Sequence, residues 1–156
     1  MCTAFEEIKK GYIELRDTTH GVGALMYDPD DDEQRQFLID EGRKGLKEAT
    51  EETAKLEQLV RSHFTELSID ETTTLMALST PILVGMEFLR NKVRDSSIAA
   101  EFQAEFEAYC EAVDDFFELC SDLQVWNIDI KGDAELSRKL EDIGKTLLAQ
   151  AGEQPF

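Results

Sequence analysis

Between Arg94 and Lys131 the sequence contains no lysine or arginine, although that interval is rich in acid. From Asp95 to Asp129 the carboxylates are Asp95, Glu101, Glu105, Glu107, Glu111, Asp114, Asp115, Glu118, Asp122 and Asp129. Over the whole chain 16 Lys and Arg stand against 34 Asp and Glu, a formal charge of -18. Such a deficit of positive charge opposes direct binding of nucleic acid phosphates and of anionic membrane surfaces. The natural complement is a basic protein surface.

Cysteine is also scarce, with Cys2, Cys110 and Cys120 forming an odd set without metal-type pairing. On one helix Cys110 and Cys120 would stand about 15 Å apart, beyond the reach of a disulfide. Reduced thiols in a cytoplasmic setting are the expectation. The first residues lack a basic stretch followed by a long apolar run, so no secretion signal is expected, and no later run is expected to span a membrane.

The sequence has two histidines and lacks a phosphate-cradling glycine loop, a G-x-S-x-G elbow and a zinc-type cysteine array. Asp17-x-x-His20 offers two ligands where zinc needs more. His63 falls in an apolar stripe and reads as a core histidine without a catalytic partner. Asp28, Asp30 and Asp32 alternate like the first ligands of a calcium loop, but Glu33 replaces the turn glycine and Ile39 the closing glutamate. Glu48-x-x-Glu51 and Glu111-x-x-Asp114 have the spacing of paired magnesium carboxylates, yet the adjoining seams turn them towards solvent. No catalytic residue, metal or cofactor is therefore expected.

What is abundant is apolar material at helical spacing. Hydrophobic residues make up 42% of the 156 residues, charged residues 32%, and there are nine Phe, enough for a folded core in a single domain over 1–156. Thr3-Ala4-Phe5-Glu6 is a capping box, and Phe5, Ile8, Tyr12 and Leu15 form the stripe of a first helix predicted to fade before Gly21. Residues 21–30 are predicted to be irregular, ending in the turn Asp28-Pro29-Asp30. The acids Asp30 to Glu33 then suit the N-terminus of a second helix.

That second helix carries the longest regular seam: Ile39, Gly42, Leu46, Ala49, Thr53, Leu56, Val60, His63 and Leu67. Gly42, Gly45, Ala49 and Thr53 make one half of it small, so a bulky neighbour should face them. An unbroken helix over 31–67 would measure about 55 Å, which predicts a bend or break near Gly42 to Gly45. Ser68-Ile69-Asp70-Glu71 is a second capping box after a tight turn. The third helix is apolar around much of its circumference, with Pro81 marking a bend or restart.

A fourth helix, over Ser97 to Leu123 and capped near Asp95-Ser96-Ser97, has the inner seam Phe102, Phe106, Tyr109, Val113, Phe116, Cys120 and Leu123. Residues 124–131 read as a short extended segment, 124–132 and 151–156 as irregular, and Leu136, Leu140, Ile143 and Leu147 as the stripe of a last helix. The whole is expected to be an all-α, up-and-down bundle of four to five helices. Parallel second and fourth helices would bring Phe102 and Phe106 against the small half around Gly42.

The sequence thus favours a non-enzymatic acidic protein-interaction module, a regulator that binds a basic partner as an inhibitor, neutraliser or nucleic-acid mimic. The expected contacts are Glu101, Glu105, Glu111, Asp115, Glu118 and Asp122. The alternative is a bundle that holds a small apolar ligand between helices, lined by Met86, Phe102, Phe106 and Tyr109. A homodimer through surplus apolar surface on the first or third helix is a further expectation.

Overall fold

The computed structural model describes residues 3–125 and 142–146. Four long helices form the bundle: α1 (Ala4–Leu25), α2 (Asp32–His63), α3 (Ile69–Asp95) and α4 (Gln103–Val125). Short 3-10 turns at Phe64–Glu66 and Ala99–Phe102 lead out of α2 and into α4. Residues 142–146 are helical, and no strand occurs among the described residues. The expected extended segment lies outside the described residues over 126–131, while Gln124 and Val125 are helical. The irregular tail at 151–156 and most of the last-helix stripe also lie outside them.

Local chemistry starts each helix where the sequence signals it. The Thr3 hydroxyl accepts from the Glu6 amide at 3.2 Å, and the Glu6 carboxylate accepts from the Thr3 amide. Ser68 and Glu71 repeat that exchange at 3.1 and 2.8 Å. At α2 the cap is Asp31, whose carboxylate accepts from the Gln34 amide at 2.7 Å, with Asp32 and Glu33 in the first turn. The acid run after Pro29 thus satisfies orphan amides and complements the helix dipole.

Several features of the helices differ from expectation. The first helix does not fade before Gly21 but continues through Gly21 and Gly23 to Leu25, because Val22 is anchored in the core. Only the end of the stretch 21–30 is therefore irregular. The second helix has no break at Gly42 to Gly45: it is one α-helix of 32 residues, about 48 Å long. Likewise α3 passes through Pro81 without an interruption. Its 18-residue apolar window reaches a mean hydropathy of 1.3, so by length and composition alone it could cross a membrane. This corrects the expectation that no run would qualify, although Leu75, Ile82, Met86, Leu89 and Val93 turn one side of α3 into the bundle core.

Before α4, Asp95-Ser96-Ser97 does not cap the start of the fourth helix: Ser96 is the C-cap of α3, and the turn at Ala99–Phe102 has no side-chain cap. The Ser96 hydroxyl accepts from the Ile98 amide at 3.3 Å, and Ser97 donates to the Asp28 carboxylate at 3.0 Å. The fourth helix is thereby tied to the α1–α2 connection before it begins.

Directions alternate along the chain, and the neighbours follow from side-chain placement. Leu56 lies against Gly11 and Val22 against Gly45, so α1 and α2 are antiparallel. Arg35 meets Glu101 and Arg61 meets Asp122, so α2 and α4 run parallel side by side. Thr19 lies against Gly85 and Lys92 reaches the Gly23 carbonyl, which makes α1 and α3 parallel. Consecutive α2 and α3 are not packed along each other: α1 and α4 each bridge them. Tyr12 and Phe116 nevertheless meet across the centre, ring centroids 5.9 Å apart.

The packing of Gly42 follows the expected pattern. A Cβ placed there would stand 2.7 Å from Phe102 Cε1 and 2.8 Å from Cζ. Glycine lets the fully buried Phe102 ring lie against the α2 backbone. Gly45 serves a different neighbour, Val22 of α1, at 2.8 Å.

Candidate protein-interaction surface

The fourth helix presents three distinct sides. Tyr109, Val113, Phe116, Leu119 and Leu123 are fully buried, and Ala112 is nearly so. Each large apolar side chain removed from water contributes about 1.5–3 kcal/mol. Phe106 and Cys120 are only half-buried, at the seam's margins. Leu119, outside the expected seam, packs in the core with them.

A second side is held by arginines from α2, which sequence reading had left out. Glu101 pairs with Arg35 at 3.2 Å and with Arg43 at 3.9 Å, and Glu105 with Arg43 at 3.7 Å. Arg43 Nε also donates to the Glu101 carbonyl at 3.1 Å, satisfying the 3-10 turn. Lower down, Arg61 donates to Asp122 at 3.0 Å and pairs with Glu57 at 3.4 Å. On the opposite flank Arg90 of α3 pairs with Asp114 at 3.0 Å and with Glu87. Four acids of the interval without lysine or arginine therefore have a counter-ion, supplied by helices distant in sequence. Arg35 and Arg43 lie eight residues apart and share one face of α2, a spacing the sequence displays but whose partner only the parallel pairing identifies.

The third side is the exposed stripe Glu107, Glu111, Asp115 and Glu118, separated by steps of four, four and three. Of the six expected contacts, Glu111, Asp115 and Glu118 lie here without an ion pair to another described residue, while Glu101, Glu105 and Asp122 belong to the α2 seam. Like charges spaced four apart on a helix cost about 0.2–0.5 kcal/mol per pair. The last turn of α4 contains no basic residue to offset its dipole. The stripe is thus a destabilising concentration of charge that an external cation would relieve.

The four residues expected to line an apolar pocket are packing residues. Met86, Phe102 and Tyr109 have no exposed surface and belong to the core; Phe106 packs against its edge. Burial pushes the Tyr109 and Tyr12 hydroxyls far above the ordinary tyrosine value, and neither makes a well-formed hydrogen bond. Burial likewise raises the Cys110 and Cys120 thiols, and at Cys110 the neighbouring Arg90 partly opposes it.

His63 is not a core residue. It is partly exposed, its Nδ1 lying 2.9 Å from Glu66. Glu48 faces α1 beside Thr18 and Val22, away from the outer side of α4 that carries Glu111, so the two acidic pairs do not converge. Among the described residues, no group of three or more His, Cys, Asp and Glu side chains is arranged to hold a metal ion.

One acid unremarked in the sequence stands out. Glu52 lines a groove of about 380 Å³ between α1 and α2 with Glu14, Lys10 and Lys55. Its Oε2 is buried without a hydrogen bond, and burial raises its carboxyl, with Thr18 opposing and Glu48 and Glu14 reinforcing the shift. Position on the α1-facing side of the seam was the available signal. Compared with protein-family models, curated proteins and solved structures, the chain matches none.

Proposed function

We propose that the protein is a non-enzymatic, cytoplasmic interaction module whose α4 face binds a basic protein surface and thereby neutralises or regulates it. The supporting observation is the exposed stripe Glu107, Glu111, Asp115 and Glu118, four carboxylates on consecutive turns of a helix whose opposite side is locked into the core. A rigid row of charge is preorganised, so a partner gains Coulomb energy without ordering flexible chain. Charge of this sign also accelerates encounter with a cationic patch and disfavours acidic competitors. Glu101, Glu105 and Asp122 are positioning residues in this reading, because they fasten α4 to α2 through Arg35, Arg43 and Arg61.

The test is affinity capture from the native host at low salt by the immobilised wild-type chain and by E111K/D115K/E118K. The wild-type column is expected to retain a basic protein that elutes as salt rises, and the reversed variant to lose it. Equal retention by both columns overturns the assignment. Reversal leaves the α2 pairs intact, so retained helical content separates lost binding from lost fold.

A further inference from the structure

The α1/α2 groove beside Glu52 is lined by charges of both signs around an apolar floor. Both helices build it from one spacing, Glu7 with Lys10 on α1 and Glu52 with Lys55 on α2, each pair three residues apart and so on one helix face. Gly11 and Leu56 meet at its centre, where a Cβ on Gly11 would stand 2.9 Å from Leu56 Cδ1. Because the helices are antiparallel about that contact, Glu14 and Glu52 share one end, and Leu59 lies a turn beyond Leu56 towards the other. Lys10 stands 3.9 Å from Glu14 in a largely exposed pair. Glu52 and Lys55 form no ion pair with another described residue.

Packing does not account for Glu52. Its carboxylate is partly buried, with Oε2 shut off from water and without a hydrogen bond. Burial disfavours its charge, Glu14 and Glu48 add to that cost, and Thr18 and Lys55 offset it only in part. A charged group kept in a cleft at the expense of the fold is a mark of a binding site.

We propose that the α1/α2 groove binds a small aliphatic amino acid of leucine size, with its ammonium beside Glu52 and its carboxylate beside Lys55. A simple amine would also meet Lys10 and Lys55, and a simple carboxylate would also meet Glu14 and Glu52, whereas a molecule carrying both charges complements both walls. Such a zwitterion adds no net charge to a chain of -18. Its ammonium supplies the charged donor that Glu52 lacks, and charge-assisted hydrogen bonds are roughly twice as strong as neutral ones. Leu56, Leu59 and the uncovered backbone of Gly11 form an apolar bed for the ligand's side chain. The volume of about 380 Å³ lies near the lower end of the roughly 300–1,000 Å³ usual for small-ligand clefts, in keeping with a ligand of this size.

Isothermal titration calorimetry of the full chain at neutral pH tests this, with leucine and two analogues that each lack one of its charges, isoamylamine and isocaproate. Leucine is expected to bind saturably, at one site per chain, and at least about tenfold more tightly than either analogue. E52Q and K55M are each expected to weaken leucine binding by at least about tenfold with unchanged helical circular dichroism. E111K/D115K/E118K is expected to bind leucine as the wild type does, because no lining residue of the groove belongs to α4. The absence of saturable leucine binding overturns the proposal. Equal affinity for leucine and either analogue overturns it as well, because one of the two charges would then be idle. Wild-type affinity in E52Q or K55M, or loss of leucine in the α4 variant, places any binding elsewhere and equally overturns it.

Discussion

Gly42 is the point at which one hydrogen atom decides how closely two helices approach. A methyl group there would occupy the space of Phe102 Cε1 and Cζ, and the ring has core atoms around it with no exposed surface to move into. Alanine favours helix over glycine by about 1 kcal/mol, yet overpacking of this kind costs about 1–3 kcal/mol. Gly42→Ala is therefore expected to destabilise in chemical denaturation, and Phe102→Leu in the same chain to recover part of the loss. Glu52 presents the opposite case, a native residue that works against the fold. Its folded-state carboxyl is raised above the unfolded value of about 4.3, so ionisation disfavours the native state. The penalty is present at neutral pH and disappears as pH falls below the unfolded value, where both states are protonated. Glu52→Gln should raise the melting temperature at pH 7 to 8, with the gain shrinking to nothing below about pH 4. Thermal melts of both chains across that range measure it.

At the scale of the helix, local signals and long-range packing separate cleanly. Thr3, Asp31 and Ser68 start their helices through side chains three residues from the amides they satisfy, so sequence alone reveals them. Seam residues such as Leu46, Leu56 and Val60 declare themselves by period for the same reason. Helix ends behave differently. Gly21 and Gly23 argue for unwinding by propensity, but the burial of Val22 between them outweighs that cost. The same competition keeps α2 whole at Gly42 and Gly45, where contacts to Phe102 and Val22 replace the side chains that glycine lacks. Gly21 itself is exposed, and an added Cβ meets no atom within 4 Å. Gly21→Ala is accordingly expected to stabilise by about 0.5–1 kcal/mol, read from thermal unfolding, in contrast to the same change at Gly42. For the candidate site, the acid content of α4 was visible in sequence, but its division into a tethered side and a free side was not. That division depends on Arg35, Arg43, Arg61 and Arg90, which lie 24 to 66 residues from the carboxylates they hold.

For the whole molecule the decisive feature is the order of helices around the core. The up-and-down alternation follows from the short connections, but those connections do not determine which helices become neighbours. The connection from α2 to α3 crosses the base of the bundle instead of joining two neighbours, so each half of the chain finds much of its packing in the other half. α2 needs α4 for its arginines and for Phe102; α3 needs α1 beneath Gly85 and Lys92. A pair such as α1 and α2 taken alone would leave its side towards α4 and α3 open to water, and α3 with α4 would fare no better. Much of the helix packing forms only when the two hairpins meet, so their stabilities are not separable quantities that add. The diagonal crossover therefore confers cooperativity: the chain has no natural seam along which to open, and loosening one hairpin withdraws the support of the other.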